Sequence, residues 1–271
     1  MAEKQSHSVL VFDSGLGGLT VLREIRRQRP DLHLVYAADD AAFPYGRLDD
    51  RALADRVVTV IGALIEKVKP NLAVIACNTA STLALPPLRA RFSIPFVGTV
   101  PAIKPACEQS KTKRVSVLAT SGTVKRDYTQ ALIREFGADC KVTLVGSEHL
   151  AGLAEAVLRG ETVSAGEFKT EIEPCFVDDG ACTDTIVLAC THYPLVLDRF
   201  IELAPWPVSW IDPAEAIARR ASSLLGKSGA AFEGQIDGYF TSGKESSLEL
   251  TRSLAKFGVK PAKNADLLVP V

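Results

Sequence analysis

The 271-residue sequence lacks the features that mark several large classes of protein. It has no apolar stretch near the roughly 20 residues of a membrane-spanning helix. Its opening apolar run, "VLVF", is too short for a secretory signal. The formal net charge is -1 and no basic block occurs, which argues against nucleic acid as the main partner. We therefore expect a cytoplasmic protein that binds neither membranes nor nucleic acid.

The sequence also lacks the spacings that are typical of metal and dinucleotide sites. It contains six cysteines but no C-x-x-C pair, and none of its four histidines has a second histidine four residues away. We therefore expect neither a metal site nor a disulfide scaffold. The glycine-rich stretch "DSGLGG" does not match the G-x-G-x-x-G fingerprint, so a dinucleotide site is not expected either.

What the sequence does contain is an alternation of short β-rich runs and amphipathic helical patterns. Because 47% of its residues are hydrophobic, the chain can build a packed core. Alternating β and α units predict an α/β fold, in which mostly parallel sheets are flanked by helices. In such sheets ligands bind beyond the carboxyl ends of the strands. The predicted strands span residues 9–12, 32–38, 72–76, 96–98, 114–119, 141–146, 185–189, 208–211 and 235–240.

The two halves of the chain contain a similar order of motifs. The first half has "VFDSG" and later "VIACNTAS", whereas the second has "VLATSGT" and later "VLACTHYP". Each half therefore has one strand ending near Ser-Gly and a later strand ending in Ala-Cys. This repeat predicts two pseudo-symmetric α/β lobes, each presenting a thiol toward a shared cleft.

Two proline-containing segments interrupt the alternation, at "IPFVGTVPAIKPA" and at "LAPWPVSW". They predict a discontinuous first lobe, residues 1–98 and 208–271, and a second lobe, residues 99–207. Two connections between lobes would also form a natural hinge beside an active site in the cleft.

Cys77 and Cys190 each follow an apolar strand and precede a predicted helix start. Backbone N–H groups and the helix dipole favour a thiolate at such a position. A single cysteine of this kind is more often a small packing residue, but two in matching contexts indicate a shared function. The remaining cysteines lack these surroundings and are expected to be structural: Cys107, Cys140, Cys175 and Cys182.

Two opposed thiols are compatible with three kinds of chemistry. Disulfide redox usually relies on closely spaced or resolving cysteines. Nucleophilic catalysis by a Cys–His pair needs only one thiol. Proton transfer uses both, because one thiolate removes a proton from carbon and the other thiol returns one to the opposite face. The pattern therefore favours racemisation or epimerisation without a cofactor.

Two loops add polar groups near the predicted strand ends. "FDSGLGG" places Asp13 and Ser14 after the first strand, where an acidic residue suits a substrate ammonium group or a partner for a base. The N–H groups of the following helix start are suited to a carboxylate. In "FPYG", the turn at Tyr45 and Gly46 offers backbone donors and a phenol that could hold an anion.

Together these stretches resemble the glutamate racemases of the cofactor-independent aspartate/glutamate racemase superfamily. The matching pieces are "DSGLGGLTVL", "YAADDAAFPYG", "ACNTAS", "ATSGTV", "CTHYPL" and "GYFTSG", in family order over most of the chain. "ACNTAS" together with "CTHYPL" is the specific part of the resemblance. It implies two α/β lobes with glutamate between them, inversion at Cα by two thiols without pyridoxal phosphate, and a supply of D-glutamate for bacterial peptidoglycan.

The resemblance also implies roles for individual residues. Cys77 would be the base for D-glutamate and Cys190 the base for L-glutamate, with Asp13 and His192 assisting the neighbouring thiols. Glu155 matches a glutamate of the family, although the prolines that usually precede it are absent, and would assist catalysis. The implied substrate contacts are Asp13, Ser14, Tyr45, Gly46, Asn78, Thr79, Thr120, Thr123, Thr191 and His192.

Two other functions fit parts of this pattern. The substrate could be aspartate, because one methylene changes binding by only about 1–3 kcal/mol, although "ACNTAS" with "PYG" favours glutamate. A two-lobed protein that binds an amino acid without converting it would need neither thiol. The oligomeric state is left open, with a homodimer as one candidate assembly.

Overall fold

The computed structural model describes residues 7–137, 139–226 and 235–262. These residues divide into two compact units. The first unit combines the described residues up to Thr99 with those from Ala214 onward, and the second is the continuous stretch Val100–Pro213. The chain therefore leaves the first unit once and returns to it once.

Ten strands and eleven α-helices lie in these described ranges. The strands are β1 (Ser8–Asp13), β2 (His33–Ala38), β3 (Leu72–Ile75), β4 (Phe96–Gly98), β5 (Arg114–Thr120), β6 (Lys141–Ser147), β7 (Thr185–Ala189), β8 (Ser209–Ile211), β9 (Ile236–Phe240) and β10 (Val259–Pro261). The helices are α1 (Leu19–Gln28), α2 (Asp50–Val68), α3 (Asn78–Arg91), α4 (Ile103–Gln109), α5 (Ser121–Val124), α6 (Asp127–Phe136), α7 (Leu150–Leu158), α8 (Ala165–Ile172), α9 (Leu197–Leu203), α10 (Ala214–Leu224) and α11 (Leu248–Lys256).

The first unit contains a six-stranded sheet in the order β10-β9-β2-β1-β3-β4, and every pairing in it is parallel. β1 lies between β2 and β3, and its residues from Val9 to Asp13 are all buried. A strand covered on both faces is expected to be a continuous apolar run, as "VLVF" is. The carboxyl end of β1 therefore brings Asp13 beside the ends of its two neighbours.

The second unit contains a four-stranded sheet in the order β6-β5-β7-β8, again with every pairing parallel. Every residue of β7 is buried. One face of this sheet packs against α4 through a cluster that includes Ile103, Ala106, Val117 and Val187. The unit thus has an apolar core of its own.

The two sheets share one strand order. The series β2-β1-β3-β4 in the first corresponds to β6-β5-β7-β8 in the second. Cys77 lies just beyond β3 and Cys190 just beyond β7, so the two thiols occupy equivalent positions. The α/β prediction is confirmed, and each predicted strand forms within one residue of its expected bounds. β10 was not predicted.

One predicted boundary is wrong. Residues 208–213 were assigned to the first lobe because prolines precede them, but β8 pairs with β7 in the second sheet. The ring of Trp210 also packs against the rings of Phe200 and Phe176, at centroid distances of 5.8 and 6.2 Å. The second unit therefore ends at Pro213, and it begins at Val100, one residue later than expected.

Helix α2 shows how local sequence builds the surroundings of the site. The carboxylate of Asp49 accepts hydrogen bonds from the N–H groups of Arg51 and Ala52, and so caps the helix. Buried residues recur at helical spacing from Leu53 to Leu64 and pack against the first sheet. This packing carries Arg56 to the end of β2. No helix among the described residues is long and apolar enough to cross a membrane.

Candidate active site

The candidate residues fall into two groups, one in each unit, and most of them lie at the carboxyl ends of strands. The first unit holds Asp13, Ser14, Tyr45, Gly46, Cys77, Asn78 and Thr79. The second unit holds Thr120, Thr123, Glu155, Cys190, Thr191 and His192.

Cys77 lies two residues after β3 and directly before α3, as the N-cap residue of that helix. Its side chain is buried, with 5% of the residue exposed. The first N–H groups of a helix have no partner within the helix, and together with the helix dipole they stabilise negative charge at this end. The Cys77 side chain therefore lies at the partially positive end of α3.

Asp13 and Ser14 lie beside Cys77 because β1 and β3 are adjacent and in register, Phe12 opposite Ile75. The Ser14 Oγ is 3.7 Å from the Cys77 Sγ and donates a hydrogen bond to the Asp13 Oδ1 at 3.1 Å. Asp13 and Ser14 are both buried. The hydroxyl of Ser14 thus connects a carboxylate to the thiol.

Tyr45 belongs to a buried polar network centred on Asp39. The Tyr45 hydroxyl donates to the Asp39 Oδ2 at 2.6 Å, and the Thr241 hydroxyl donates to Oδ1 at 2.6 Å. Arg56 donates from Nε and from Nη2, at 2.9 and 2.7 Å, one nitrogen to each carboxylate oxygen. Two parallel bonds of this kind form the strongest type of protein ion pair.

This network sets the ionisation of its members. Burial raises the pKa of Asp39, but the hydrogen bonds from Arg56, Thr241 and Tyr45 outweigh burial, so its pKa lies below the usual value. Burial and the neighbouring Asp39 charge raise the pKa of Tyr45 well above its usual value. Tyr45 is therefore a neutral phenol whose proton is committed to Asp39. The structure engages the phenol within the protein, which leaves the backbone of the turn at Tyr45 and exposed Gly46 as donors toward an anion.

Asn78 begins α3 directly after Cys77, and only 2% of it is exposed. Among the residues that the structure describes, neither amide atom of its side chain has a hydrogen-bond partner. A buried polar group without a partner costs about 1–3 kcal/mol. Such a cost is typical of a residue whose partner is a ligand. Thr79, the next residue, is buried as well.

The second thiol lies in a chain of three buried side chains. Cys190 directly follows β7, and its Sγ is 3.8 Å from the Nδ1 of His192. The Nε2 of His192 lies 3.0 Å from the Oε1 of Glu155, which α7 contributes. Glu155 therefore lies beside His192, although the prolines of the family segment are missing. The arrangement links a carboxylate, an imidazole and a thiol in a row.

The candidate threonines of the second unit lie near the carboxyl ends of β5 and β7. Thr120 caps α5, with its Oγ1 accepting from the Thr123 N–H at 3.2 Å, and the two hydroxyls are 3.0 Å apart. Thr120 follows Ala119, which is paired with Ala189, so it lies at the same sheet edge as Cys190. Thr191 is buried next to that cysteine.

The other four cysteines differ from Cys77 and Cys190 in their surroundings. All six thiols are free. Burial raises the pKa of Cys107 to about 12 and raises that of Cys175 well above its usual value. The described ranges contain no group of three or more His, Cys, Asp or Glu residues arranged to hold a metal ion.

Four residues at the two sites were not found from the sequence, and one of them is Thr241, which donates a hydrogen bond to Asp39. Asp39 and Arg56 form the ion pair that holds Tyr45, and Arg159 forms an ion pair with Glu155. The sequence pattern could have identified Asp39, because this residue directly follows a predicted strand, as Asp13 does. Arg56 had no such signal, since only the packing of α2 brings it to β2. Arg159 stands four residues after Glu155, a spacing that in most helices marks a surface ion pair.

A family model described as Asp/Glu/Hydantoin racemase matches residues 17–221. The chain belongs to the Asp/Glu/hydantoin racemase family. Within this family, the glutamate racemase of Sinorhizobium medicae is 52% identical over 97% of this chain and 98% of its own length. The glutamate racemase of Agrobacterium fabrum is 53% identical, over 94% and 95% of the two chains. The resemblance to glutamate racemases found in the sequence is therefore confirmed.

Solved racemase structures agree with this assignment. The crystal structure of Escherichia coli glutamate racemase in complex with L-glutamate and the activator UDP-MurNAc-ala has a TM-score of 0.87 and 41% identity, covering 94% of this chain and 97% of that one. A glutamate racemase isoform from Bacillus anthracis has a TM-score of 0.81 and 26% identity, covering 99% and 100%. The two-sheet α/β fold is thus that of the racemase family.

Proposed function

We propose that this protein is a glutamate racemase, which interconverts L- and D-glutamate by moving the Cα proton between two thiols without a cofactor. The observation that carries the proposal is the equivalent placement of Cys77 and Cys190 at the ends of β3 and β7. Each thiol has a polar neighbour leading to a buried carboxylate: Ser14 and Asp13 in one unit, His192 and Glu155 in the other. A protein that only bound an amino acid would need neither of these two rows of linked side chains.

The relatives support glutamate as the substrate. The Escherichia coli protein, which binds L-glutamate in its crystal structure, is 41% identical over 94% of this chain. The family model itself spans racemases of several substrates. Identity to named glutamate racemases of about one half over nearly the full length therefore narrows the choice to glutamate.

In the proposed reaction, the thiolate of Cys190 removes the Cα proton of L-glutamate and becomes a thiol. The carbon is then planar, and its charge is shared with the substrate carboxylate. The thiol of Cys77 donates its proton to the opposite face, which yields D-glutamate and leaves Cys77 as the thiolate. The reverse reaction begins with Cys77 as the base. One proton enters and one leaves the substrate, so the protein alternates between two protonation states.

The remaining candidate residues stabilise the charges of this reaction. Asp13 and His192 assist the neighbouring thiols, and Glu155 orients His192. Buried donors aimed at developing charge act strongly, because water does not screen them. We assign the contacts with the substrate to Asp13, Ser14, Tyr45, Gly46, Asn78, Thr79, Thr120, Thr123, Thr191 and His192, with Tyr45 acting through its backbone.

We further propose that the D-glutamate serves peptidoglycan synthesis and that the protein acts in the cytoplasm on a free amino acid. We propose a homodimer as one candidate assembly. Sedimentation at enzyme concentrations used in assays would show a species of twice the chain mass, and a monomer at all concentrations would contradict it.

Incubation in heavy water tests the reaction. Purified protein with L-glutamate should produce D-glutamate that carries deuterium at Cα, because the proton returned to carbon comes from a thiol in exchange with solvent. Unlabelled L-glutamate after long incubation, with glutamate bound, would instead identify a binding protein. Faster conversion of aspartate than of glutamate would reassign the substrate.

Replacing the thiols one at a time tests the two-base mechanism. Cys77→Ala and Cys190→Ala should each abolish racemisation. Cys182→Ala is the matched control, because this half-buried thiol of the second unit has no part in the proposed reaction. Full activity in either of the first two variants would eliminate the mechanism.

A further inference from the structure

Glu155 holds two different partners on its two carboxylate oxygens. Its Oε1 lies 3.0 Å from the Nε2 of His192, and its Oε2 accepts hydrogen bonds from the Nη2 and Nε of Arg159 at 3.0 and 3.2 Å. Its side chain is 6% exposed, that of His192 is 3% exposed, and that of Arg159 is 35% exposed. The guanidinium thus reaches a buried carboxylate from the protein surface.

An ion pair at i,i+4 on a helix is usually a weak surface contact. The pair Arg219–Glu215 in α10 is of that kind, with side chains 62% and 59% exposed. The pair Arg159–Glu155 differs because its carboxylate is buried and because the second oxygen is committed to a buried imidazole. Burial weakens the screening of a charge by water, so the guanidinium of Arg159 attracts this carboxylate more strongly than Arg219 attracts Glu215.

The arginine determines which nitrogen of His192 carries the proton. A guanidinium is always charged and only donates hydrogen bonds, so its neighbour Glu155 is held as a carboxylate, which only accepts them. The short contact to Oε1 therefore requires a proton on the Nε2 of His192. In a neutral imidazole the Nδ1 then carries no proton and can accept one, and this nitrogen lies 3.8 Å from the Cys190 Sγ.

We propose that Arg159 is a positioning residue: by holding Glu155 as a carboxylate, it sets the His192 tautomer whose Nδ1 can accept the proton of Cys190. This inference rests on the proposed racemisation for its catalytic meaning. In this proposal Arg159 acts through its contact with Glu155. Without it, a protonated Glu155 becomes favoured in its buried position, donates to Nε2, and leaves a proton on Nδ1 facing the sulfur.

Kinetic isotope effects separate this role from a general loss of structure. The two enantiomers have equal free energies, so kcat/KM remains equal in both directions in any variant. The primary isotope effect, measured with substrate deuterated at Cα, can differ between the two directions. When proton transfer at Cys190 becomes slower, the primary isotope effect on kcat/KM rises for L-glutamate, because Cys190 breaks its bond to deuterium. The isotope effect falls for D-glutamate, because Cys77 breaks that bond and the slow step at Cys190 comes afterwards.

We therefore expect Arg159→Met to lower kcat roughly tenfold, which is less than the factor of about 10²–10⁴ that general acid–base catalysis supplies. Its isotope effect should be larger with L-glutamate than with D-glutamate. Arg159→Lys keeps the charge and should restore most of the activity and the symmetry of the two effects. Arg219→Met removes the exposed pair of the same spacing and should behave as the wild type. Equal isotope effects in Arg159→Met would overturn the inference.

A second measurement requires no turnover. In protein labelled with ¹⁵N-histidine, the resonance that disappears in His192→Asn identifies His192. The wild type should show protonation at Nε2, and Arg159→Met should move the proton toward Nδ1. An unchanged tautomer in Arg159→Met would contradict the proposal even if the wild type racemises glutamate. Conversely, absence of racemisation in the wild type would overturn the proposed function, while the tautomer would still decide the role of Arg159.

Discussion

At the scale of single residues, the ion pair Asp39–Arg56 is a buried, two-bonded polar contact near the candidate site. Both of its members are largely buried, and both Asp39 oxygens are bonded. A buried charge that loses its partner is destabilised by about 3–5 kcal/mol. We expect Arg56→Met to lower the free energy of unfolding by that amount, as measured by urea denaturation. The double variant Asp39→Asn with Arg56→Met should lose less than the single one, and a larger loss would show that the two residues do not act as a pair.

Asp39 also makes stability depend on pH. Its folded pKa is lowered by the hydrogen bonds that outweigh burial. The unfolded value for an aspartate is about 3.9, so the stabilisation is fully present above that pH and is lost as the pH falls below it toward the folded pKa. Asp39→Asn should therefore show a shallower loss of stability than the wild type between about pH 4 and pH 2.

Thermal unfolding across that range measures the effect. Asp55→Asn is the matched control, because the Asp55 side chain is 75% exposed and its contact with Arg51 is 3.8 Å long. Equal slopes for Asp39→Asn and the wild type would mean that other carboxylates account for the acid sensitivity.

The residues found from the sequence share one property: their signal is local. Cys77, Cys190 and Asp13 each follow an apolar strand, and the end of a parallel strand is where such folds place chemistry. Two partners of Asp39 could not be found in this way. Arg56 and Thr241 reach it from residues 17 and 202 positions away, which only tertiary packing brings together.

At the scale of elements, the entry to α1 depends on the small size of Gly18. A Cβ at this position would lie 2.9 Å from the Cβ and 3.2 Å from the Oδ2 of Asp13. Contacts that close force a shift, and overpacking typically costs about 1–3 kcal/mol. We expect Gly18→Ala to lower both the unfolding temperature and kcat, because the atom that must move belongs to Asp13.

Gly152→Ala provides the matched control for that variant. Gly152 lies within α7, and a Cβ there would have no atom within 4 Å. The same substitution should then stabilise the protein by about 0.4–1 kcal/mol, since alanine is the better helix former. A fall in kcat for Gly152→Ala equal to that for Gly18→Ala would refute the argument from Asp13.

The strands that sequence patterns missed or assigned to the wrong unit are short and depend on distant partners. β10 consists of "VKP", in which proline argues against a strand, and it forms at the sheet edge beside β9. β8 was predicted as a strand but assigned to the wrong unit, because the prolines of "LAPWPVSW" resemble a linker. The contacts of Trp210 with Phe200 and Phe176 decide its place, and no local pattern encodes them.

At the scale of the whole molecule, the two units differ in how the chain enters them. The second is one uninterrupted stretch with its own parallel sheet and apolar core. Domains of this kind can fold alone. We expect isolated residues 100–213 to unfold cooperatively on heating, at a lower temperature than the full chain, as circular dichroism would show. A non-cooperative transition would mean that this unit requires the rest of the chain.

The discontinuous first unit has a consequence for translation. β2 pairs on its outer side with β9, yet all of the second unit lies between these two strands in the sequence. As the nascent chain emerges from a ribosome, the four strands of the second unit appear before Ile236–Phe240 can cover the edge of β2. An uncovered strand edge is a template for pairing with another polypeptide. The edge of β2 therefore stays open to pairing with another polypeptide until β9 has been synthesised.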